Sequence, residues 1–323
     1  MTEGKIHRFK PNIYYFTFGP NKPALTVKSG DSVIAKTRDA GGGNERSEPL
    51  PEEQKQKIDG TVLRQANPLV GPIYVEEANP GDVLAVSIQR IKLNRSSAFS
   101  SHRPHFGFLT GEGAGMELYL NDPIPDRRFN WQLNLKNNTG TLVLKESRVK
   151  KVEVPLHPFI GCIGVAPRFG RTETSASPGE FGGNMDCVET KEGTTLYLPV
   201  WVKGAYLAFG DIHAAQGDGE LCGVALETTA EVTLGLEVMK NWGMDWPRMM
   251  DETYIMTVGN ARPLMDCVRI AVVEMVKWLT TNYGFEKWEA FQLISQVGTM
   301  RIGNVVDPNY TVVAKFPRKH LPA

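Results

Sequence analysis

The sequence predicts a mainly β fold: a β-sandwich-like body with an α+β portion that carries a two-helix unit near the C-terminus. Runs of β-branched and aromatic residues, separated by glycine and proline turns, recur through the first 200 or so residues. Sustained three-to-four apolar spacing, which indicates helix, begins only after Asn260. We therefore expect a β-rich body over residues 1–260 and a helical hairpin with a final strand over residues 261–323, packed on that body.

The first part of the chain predicts strands linked by turns. Strands are expected within residues 13–27, 29–44, 67–76 and 79–88. Polar residues 45–60 predict a surface loop with a short helix. Residues 93–115 follow no regular period, so we expect an irregular loop of the kind that often covers a binding site. His102 and His105 lie in it, either as surface histidines or as residues that bind a metal or gate a pocket.

The rest of the chain alternates between exposed and buried patterns. Period-two alternation predicts half-exposed strands in residues 126–135, 140–144 and 148–156, and the apolar residues 157–167 predict a fully buried strand. Helices are expected over residues 264–279, opened by Pro263, and over residues 286–297, followed by a turn and a strand. The inward residues of the second helix are expected to be Trp288, Phe291 and Ile294.

The composition argues against nucleic acid and membranes as partners of this protein. Lys plus Arg and Asp plus Glu are 36 each, so no basic excess favours nucleic acid. No apolar run approaches the ~18 residues of a membrane span, and the N-terminus lacks a signal peptide, so we expect a cytoplasmic protein without a membrane partner. The four cysteines are expected to be free thiols.

One stretch concentrates the polar chemistry. Residues 210–220, Gly-Asp-Ile-His-Ala-Ala-Gln-Gly-Asp-Gly-Glu, lie between a predicted strand at residues 193–202 and another at 222–227. The stretch holds five candidate metal ligands or proton carriers: Asp211, His213, Gln216, Asp218 and Glu220. On extended backbone, Asp211 and His213 share one face of the sheet, and Asp218 and Glu220 share a face likewise. The alternative is a hairpin whose polar residues only face water.

Two further stretches place oxygen-bearing side chains beside glycine runs. Asn184 and Asp186 follow a Gly-Gly pair, and Asp39 precedes three glycines. Phosphate-binding loops, dinucleotide-binding glycine motifs, the serine nucleophile elbow and His-Glu-x-x-His are all absent from the sequence. The sequence therefore carries none of the motifs that usually indicate nucleotide binding or hydrolysis by a serine nucleophile elbow.

Several blocks together resemble the acetamidase/formamidase family. They include Asn-Pro-Leu-Val-Gly-Pro-Ile-Tyr-Val-Glu at residues 67–76, Pro-Phe-Ile-Gly-Cys-Ile-Gly-Val-Ala-Pro at 158–167, Gly-Gly-Asn-Met-Asp at 182–186 and the stretch at 210–220. The resemblance implies a mostly β fold, a divalent metal site, and hydrolysis of small aliphatic amides of the formamide or acetamide type to a carboxylate and ammonia. Which amide is preferred stays open.

Given that resemblance, a metal can activate water and polarise the amide carbonyl. We expect Asp186, Asp211 and His213 to bind the ion, with Asp39 as an additional ligand. Glu220 is expected to be the general base, and the further catalytic candidates are Asp218 and Asn184. A mixed nitrogen and oxygen set fits zinc better than calcium.

The sequence leaves two alternatives to a metal-dependent amidase. A cysteine amidase would use Cys187 beside Asp186 and Glu189, but that segment offers the thiol only acidic neighbours. A metal- or small-molecule-binding β protein without turnover would explain the same carboxylates. We also expect a homodimer or a dimer of dimers.

Overall fold

The computed structural model describes residues 4–110 and 124–322. Within them, strands dominate and two α-helices lie near the C-terminus, which confirms the predicted mainly β class. The helices of this described part are too short or too polar to cross a membrane. Residues 111–115 of the predicted irregular loop lie outside the described residues.

The strands are short at the N-terminus and longer in the body. In chain order they are β1 Ile6–Phe9, β2 Thr17–Phe18, β3 Leu25–Val27, β4 Ser32–Lys36, β5 Lys57–Ile58, β6 Thr61–Val62, β7 Leu69–Val75, β8 Val83–Leu93, β9 Ser97–His102, β10 Arg127–Asn134, β11 Thr139–Val143, β12 Lys151–Pro155, β13 Phe159–Gly164, β14 Glu173–Thr174, β15 Pro178–Gly179, β16 Gly182–Asn184, β17 Thr195–Pro199, β18 Leu207–His213, β19 Glu227–Thr228, β20 Ala230–Met239, β21 Arg248–Met250, β22 Tyr254–Ala261, β23 Thr299–Asn304 and β24 Tyr310–Pro317.

Two large sheets contain most of these strands. The first has the order β1-β4-β20-β8-β17-β21-β22-β24-β23. The second runs β12-β11-β10-β9-β19-β18-β13-β16-β15, with β7 paired to β18 and β3 to β7. Leu84 and Val86 of the first sheet share one buried cluster with Ile160 and Phe209 of the second. The two sheets therefore pack around a common apolar core.

The two helices pack on the end of the first sheet. Helix α1 spans Leu264–Tyr283, and α2 spans Lys287–Val297. The Glu286 carboxylate caps α2 by accepting hydrogen bonds from two backbone N–H groups of its first turn. Trp288 and Phe291 are 65% and 49% exposed, so the prediction that they point inward is wrong. The buried positions of α2 are Ala290 and Ile294, so the prediction is confirmed for Ile294 alone.

Three strand predictions differ from the structure. Residues 97–102 form β9 inside the predicted irregular loop, because pairing with β10 satisfies the backbone of this serine-rich segment. Only Glu227–Thr228 is a strand in the region expected at 222–227, since the preceding residues turn back toward β18. Strand β23 was not predicted; it lies at the edge of the first sheet beside β24.

Candidate metal centre

Adjacent strands of the second sheet bring the candidate ligands together. Strand β13 pairs with β16 on one side and with β18 on the other, and Cys162 is the partner of both Asn184 and Gly210. Asp186 follows β16, whereas Asp211 and His213 lie on β18. The pairing of these strands therefore brings Asp186 and Asp211, which are 25 positions apart in the chain, together beside β13.

The ring of His213 is the centre of this group. Its Nε2 atom lies 3.4 Å from an Asp211 oxygen and 4.0 Å from an Asp186 oxygen. It also lies 3.4 Å from an oxygen of Glu227. Two overlapping sets, Asp186–Asp211–His213 and His213–Glu220–Glu227, each present ligand atoms within 4.8 Å of one another. All five residues are buried, so the structure brings together oxygen and nitrogen atoms that could hold a metal ion.

Gly161 on β13 provides the space in which the two aspartates meet. A Cβ atom at this position would lie 2.8 Å from Asp186 Oδ1 and 2.9 Å from Asp211 Oδ2. Both distances are too short for real contacts with a carbon atom. Any larger residue here would therefore displace the carboxylates.

The carboxylate oxygens lack the partners that burial normally demands. Within the described residues, and with the carboxyl groups ionised, neither oxygen of Asp186 has a hydrogen-bond donor, and the same holds for Asp211 Oδ1 and Glu227 Oε2. No described lysine or arginine forms an ion pair with these side chains; His213 is their ion-pair partner. Because leaving buried anions uncompensated is costly, this donor set fits a bound cation.

Electrostatics lead to the same conclusion. Burial, together with the Asp307 carboxylate, raises the pKa of Asp186 well above its usual range. Burial and the negative charge of Asp186 likewise raise the pKa of Glu220. Burial opposes the charge of His213, but the carboxylates of Glu227 and Asp211 outweigh it and raise the pKa of His213. A cation held among these side chains would oppose the upward shifts of the Asp186 and Glu220 pKa values, because its charge favours the ionised carboxylates.

Gln216 orients the histidine. Its Nε2 donates hydrogen bonds to the backbone carbonyls of Asp186, at 2.8 Å, and Gly303, at 3.0 Å. The amide oxygen must therefore face His213 Nδ1, 2.8 Å away, and this oxygen can only accept a hydrogen bond. Nδ1 consequently carries a proton, and Nε2 is the nitrogen available to a metal. Gln216 was a possible ligand from the sequence, but the structure places its amide oxygen against Nδ1 of His213, while Nε2 is the ring nitrogen near the carboxylates.

Three of the clustered carboxylates lie on unusual backbone. The φ angles of Asp186, Asp211 and Glu220 are 46°, 58° and 49°, in the left-handed region that residues other than glycine rarely adopt. Such conformations cost on the order of 1–3 kcal/mol each and persist where the surroundings hold them. The three buried side chains are therefore held on strained backbone.

A second layer of polar residues supports the cluster. Asn184 donates a hydrogen bond through Nδ2 to Asp307, at 2.8 Å, and accepts one at Oδ1 from Asn67. The Cys162 thiol lies 3.4 Å from an Asp211 oxygen. Asn184, a catalytic candidate from the sequence, thus joins the buried network as the partner of Asp307.

Two predicted site residues lie apart from this cluster. The Asp39 carboxylate forms a buried ion pair with Arg95 at 2.6 Å and also accepts a hydrogen bond from the backbone of Gly43. Asp218 is 60% exposed and pairs with Arg301. The expectation that Asp218 and Glu220 share a face is wrong, because the backbone turns through positive φ at Gly219 and Glu220.

Two residues of the cluster were missed by sequence reasoning. Glu227 lies at the end of a predicted strand. Its position shortly after the acidic stretch at residues 210–220 could have marked it as a candidate site residue. Asp307 lies 121 positions from Asp186 in a Val-Asp-Pro-Asn turn, a pattern typical of ordinary turns. Only the tertiary fold brings Asp307 to the cluster.

Solved structures share this fold. The chain aligns with an acetamidase from Yersinia enterocolitica at 37% identity and a TM-score of 0.85, covering 99% of this chain and 94% of that one. With an acetamidase from Bacillus halodurans the identity is 30% and the TM-score 0.79, over 97% and 98% of the two chains.

Curated sequences and a family profile agree with the structures. A formamidase from Methylophilus methylotrophus is 25% identical in an alignment of 297 residues that covers 76% of this chain and 68% of that protein. The matching segments span 56% to 68% of the length of the curated relatives. The profile of the Acetamidase/Formamidase family matches residues 8–174 and 170–321, nearly the whole chain. The chain therefore belongs to the acetamidase/formamidase family.

Proposed function

We propose that this protein is a metal-dependent amidohydrolase that cleaves small aliphatic amides to a carboxylate and ammonia. The observation that carries the proposal is the convergence of two buried carboxylates on His213 Nε2: that of Asp186, neither oxygen of which has a hydrogen-bond partner, and that of Asp211, whose Oδ1 has none. Membership in a family whose relatives are named formamidase and acetamidase supports the reaction class.

Zinc is the ion that we propose. Asp186, Asp211 and His213 would hold it, and Glu227 lies close enough to complete the set. A shell of one imidazole and several carboxylates suits zinc or a similar transition ion better than calcium. Bound zinc supplies a water molecule of lowered pKa and a positive charge that polarises a carbonyl. Asp39 remains a less supported ligand, because Arg95 already neutralises it.

Glu220 is the proposed proton carrier. It belongs to the buried cluster and is also one of the residues that line a cavity formed by described residues. In the proposed reaction, a Glu220 oxygen takes a proton from the attacking water and later gives a proton to the amide nitrogen, as the carbon–nitrogen bond breaks. Asp218 lies at the edge of the same cavity and is the next candidate for this role.

The cysteine rival receives less support. Cys187 is fully buried, and burial together with the charge of Glu189 raises the pKa of its thiol far above the ordinary value. A nucleophilic cysteine needs a lowered pKa and access to substrate. The arrangement around Cys187 offers neither.

Ammonia release from formamide, acetamide and propionamide tests the proposed reaction. Turnover of at least one amide is expected from the purified protein, and little from an Asp211→Ala variant of equal thermal stability. Binding of zinc without turnover of any amide would instead favour the non-catalytic metal-binding alternative.

A homodimer or a dimer of dimers is the proposed assembly. Strand β23 lies at the edge of its sheet, and its Met300 and Ile302 side chains are 51% and 36% exposed. Trp288 on α2 is also exposed. Exposed apolar residues beside an open strand edge favour association, and light scattering at micromolar concentration would show it.

A further inference from the structure

The Asp39 carboxylate and the Arg95 guanidinium form a buried ion pair next to the backbone of Glu227. Arg95 Nη1 lies 2.6 Å from Asp39 Oδ2, and Asp39 Oδ1 accepts a hydrogen bond of 2.8 Å from the backbone N–H of Gly43. A Cβ atom at Gly43 would lie only 2.7 Å from Asp39 Oδ2, so a larger residue would displace the carboxylate. The glycine run after Asp39 thus lets the loop close around this carboxylate while it contacts Arg95.

The remaining donors of Arg95 face backbone carbonyls. Its Nε donates a hydrogen bond of 3.0 Å to the Ser97 carbonyl, at the start of β9, and its Nη2 donates one of 3.4 Å to the Glu227 carbonyl in β19. Nη1 also donates to the Asn44 carbonyl, at 3.3 Å. Because a guanidinium is planar and rigid, fixing Nη1 on Asp39 also fixes the directions of Nε and Nη2. The ion pair therefore sets how Arg95 joins β9 to β19.

Strand β19 needs this support, because its own sheet contacts are few. It consists of Glu227 and Thr228 alone. Both residues pair with β18, where Glu227 lies opposite His213, and the pairing with β9 is limited to Glu227 among the described residues. The Thr228 hydroxyl adds a hydrogen bond of 3.0 Å to the Ser97 carbonyl, the same acceptor that Arg95 uses. Side-chain hydrogen bonds thus supplement a short ladder.

The carboxylate that this support would direct is that of Glu227. Its Oε1 atom lies 3.4 Å from Nε2 of His213, and its Oε2 atom has no hydrogen-bond donor among the described residues. The backbone N–H of Ala225, in the same segment, donates a hydrogen bond of 3.1 Å to a Glu227 oxygen. The position of the carboxylate beside the histidine therefore depends on how the backbone of this segment is held.

We infer that Arg95 is a positioning residue for Glu227: anchored by Asp39, it holds the β19 backbone so that the Glu227 carboxylate faces His213 Nε2. The inference rests on the proposed metal centre and adds to it a residue that does not contact the ion. It also gives Asp39 a role other than that of a ligand. The negative charge of Asp39 acts through Arg95, whose orientation it fixes.

The zinc affinity of an Arg95→Lys variant tests this role. Lysine keeps the positive charge beside Asp39 but lacks the planar fork that also reaches the carbonyls of Ser97 and Glu227. We expect zinc affinity, measured against a chelator of known affinity, to fall by about 10-fold, the lower end of the usual effect of losing a partner behind a metal ligand. The absorption bands of the cobalt-substituted protein should shift, because the position of a carboxylate ligand changes.

Arg248→Lys is the matched control. Arg248 forms another buried ion pair, with Glu274 at 2.8 Å, and lies against the rings of Trp242 and Trp278. Both substitutions should lower the temperature of thermal unfolding, since each disturbs a buried ion pair. Zinc affinity and the cobalt spectrum should change in Arg95→Lys alone. An equal loss of zinc affinity in both variants would indicate a general loss of stability and would overturn the inference.

A double-mutant cycle with Glu227→Gln separates positioning from ligation. If Arg95 and Asp39 act through Glu227, Arg95→Lys and Asp39→Asn should each lower the zinc affinity of the wild type but add little in Glu227→Gln protein. Asp39→Asn preserves the side-chain shape and serves as the test should Arg95→Lys fail to fold. An undiminished effect of Asp39→Asn in the Glu227→Gln background would identify Asp39 as a ligand and contradict the inference.

The same measurements separate this inference from the proposed function. Wild-type zinc affinity in folded Arg95→Lys and Asp39→Asn proteins would overturn the positioning role and leave the metal centre intact. A wild-type protein that binds no zinc or cobalt would contradict the proposed metal centre and the inference together.

Discussion

Gln216 Oε1 accepts a hydrogen bond of 2.8 Å from Nδ1 of His213, while the Gln216 amide nitrogen is held by the carbonyls of Asp186 and Gly303. One side chain thus connects two proposed ligands with strand β23. It sets the ring orientation of His213 and leaves Nε2 facing Asp211 and Glu227.

Removing this contact should weaken metal binding. Gln216→Met keeps the length of the side chain but loses all three hydrogen bonds, so zinc affinity should fall by about 10- to 100-fold, the usual effect of losing a partner behind a histidine ligand. Competition with a chelator of known affinity measures it. Gln292→Met, at an exposed position of α2, is the control. Wild-type affinity in folded Gln216→Met protein would contradict the orienting role.

The proton-carrying role of Glu220 predicts a loss of turnover without a loss of metal. Glu220→Gln should reduce kcat by roughly 100-fold or more, the usual size of a general acid–base contribution. Asp218→Asn, which changes an exposed carboxylate of the same loop, should reduce it much less. Elemental analysis accompanies the kinetics. Loss of metal from Glu220→Gln would show that Glu220 is a ligand, and a larger loss of turnover from Asp218→Asn would transfer the role to Asp218.

The metal and thiol mechanisms predict opposite results at two adjacent residues. Cys187→Ser should retain most of the activity, because the buried thiol has no proposed role. Asp186→Ala should lose nearly all of it, because a proposed ligand is removed. Thermal unfolding of both variants checks that they fold. An active Asp186→Ala protein with an inactive Cys187→Ser protein would support the cysteine amidase.

Asp31 predicts a pH-dependent contribution to stability far from the site. Burial would raise its pKa, but hydrogen bonds from the Lys28 backbone, the His7 ring and the Lys5 backbone together lower it. Because the folded-state pKa is below the unfolded value of about 3.9, this contribution is present above pH ~4 and is lost as pH falls through the folded-state pKa.

Asp31→Asn should therefore lower the free energy of unfolding by about 1.5–3 kcal/mol near pH 7, the range for hydrogen bonds to a charged group. Urea unfolding of wild type and variant at several pH values measures the difference, which should shrink toward acid pH. Asp59→Asn, at an exposed turn, is the control. A difference that is constant over the whole pH range would contradict the role of the Asp31 charge.

The sequence was informative wherever local pattern determined structure. The apolar run at residues 159–164 became the fully buried β13, and alternation predicted β10, β11 and β12. Strands β9 and β23 were missed because their neighbours in the sheets, rather than their own composition, stabilise them. Helix α2 was predicted, but of its expected inward residues only Ile294 is buried, since a short helix offers few apolar positions from which to identify its buried face.

The candidate site was predicted in part for the same reason. Asp211 and His213 come from one continuous strand, so their spacing predicted that they lie close together, although Asp211 has a left-handed φ rather than the extended backbone that the prediction assumed. Asp39 resembled Asp186 in its glycine-flanked context, and only the tertiary structure shows that Arg95 accompanies it. Asp307 carried no local signal, because its proximity to Asp186 depends on how the C-terminal strands join the sheet.

The central claim is that Asp186, Asp211 and His213 hold an ion that the reaction needs. The most direct test determines the metal content of the purified protein by elemental analysis and measures amide hydrolysis before chelation, after chelation and after zinc is restored. We predict bound transition metal in the wild type, loss of activity with the metal, recovery on addition of zinc, and no recovery in His213→Ala. Full activity in protein shown to be free of metal would contradict the claim.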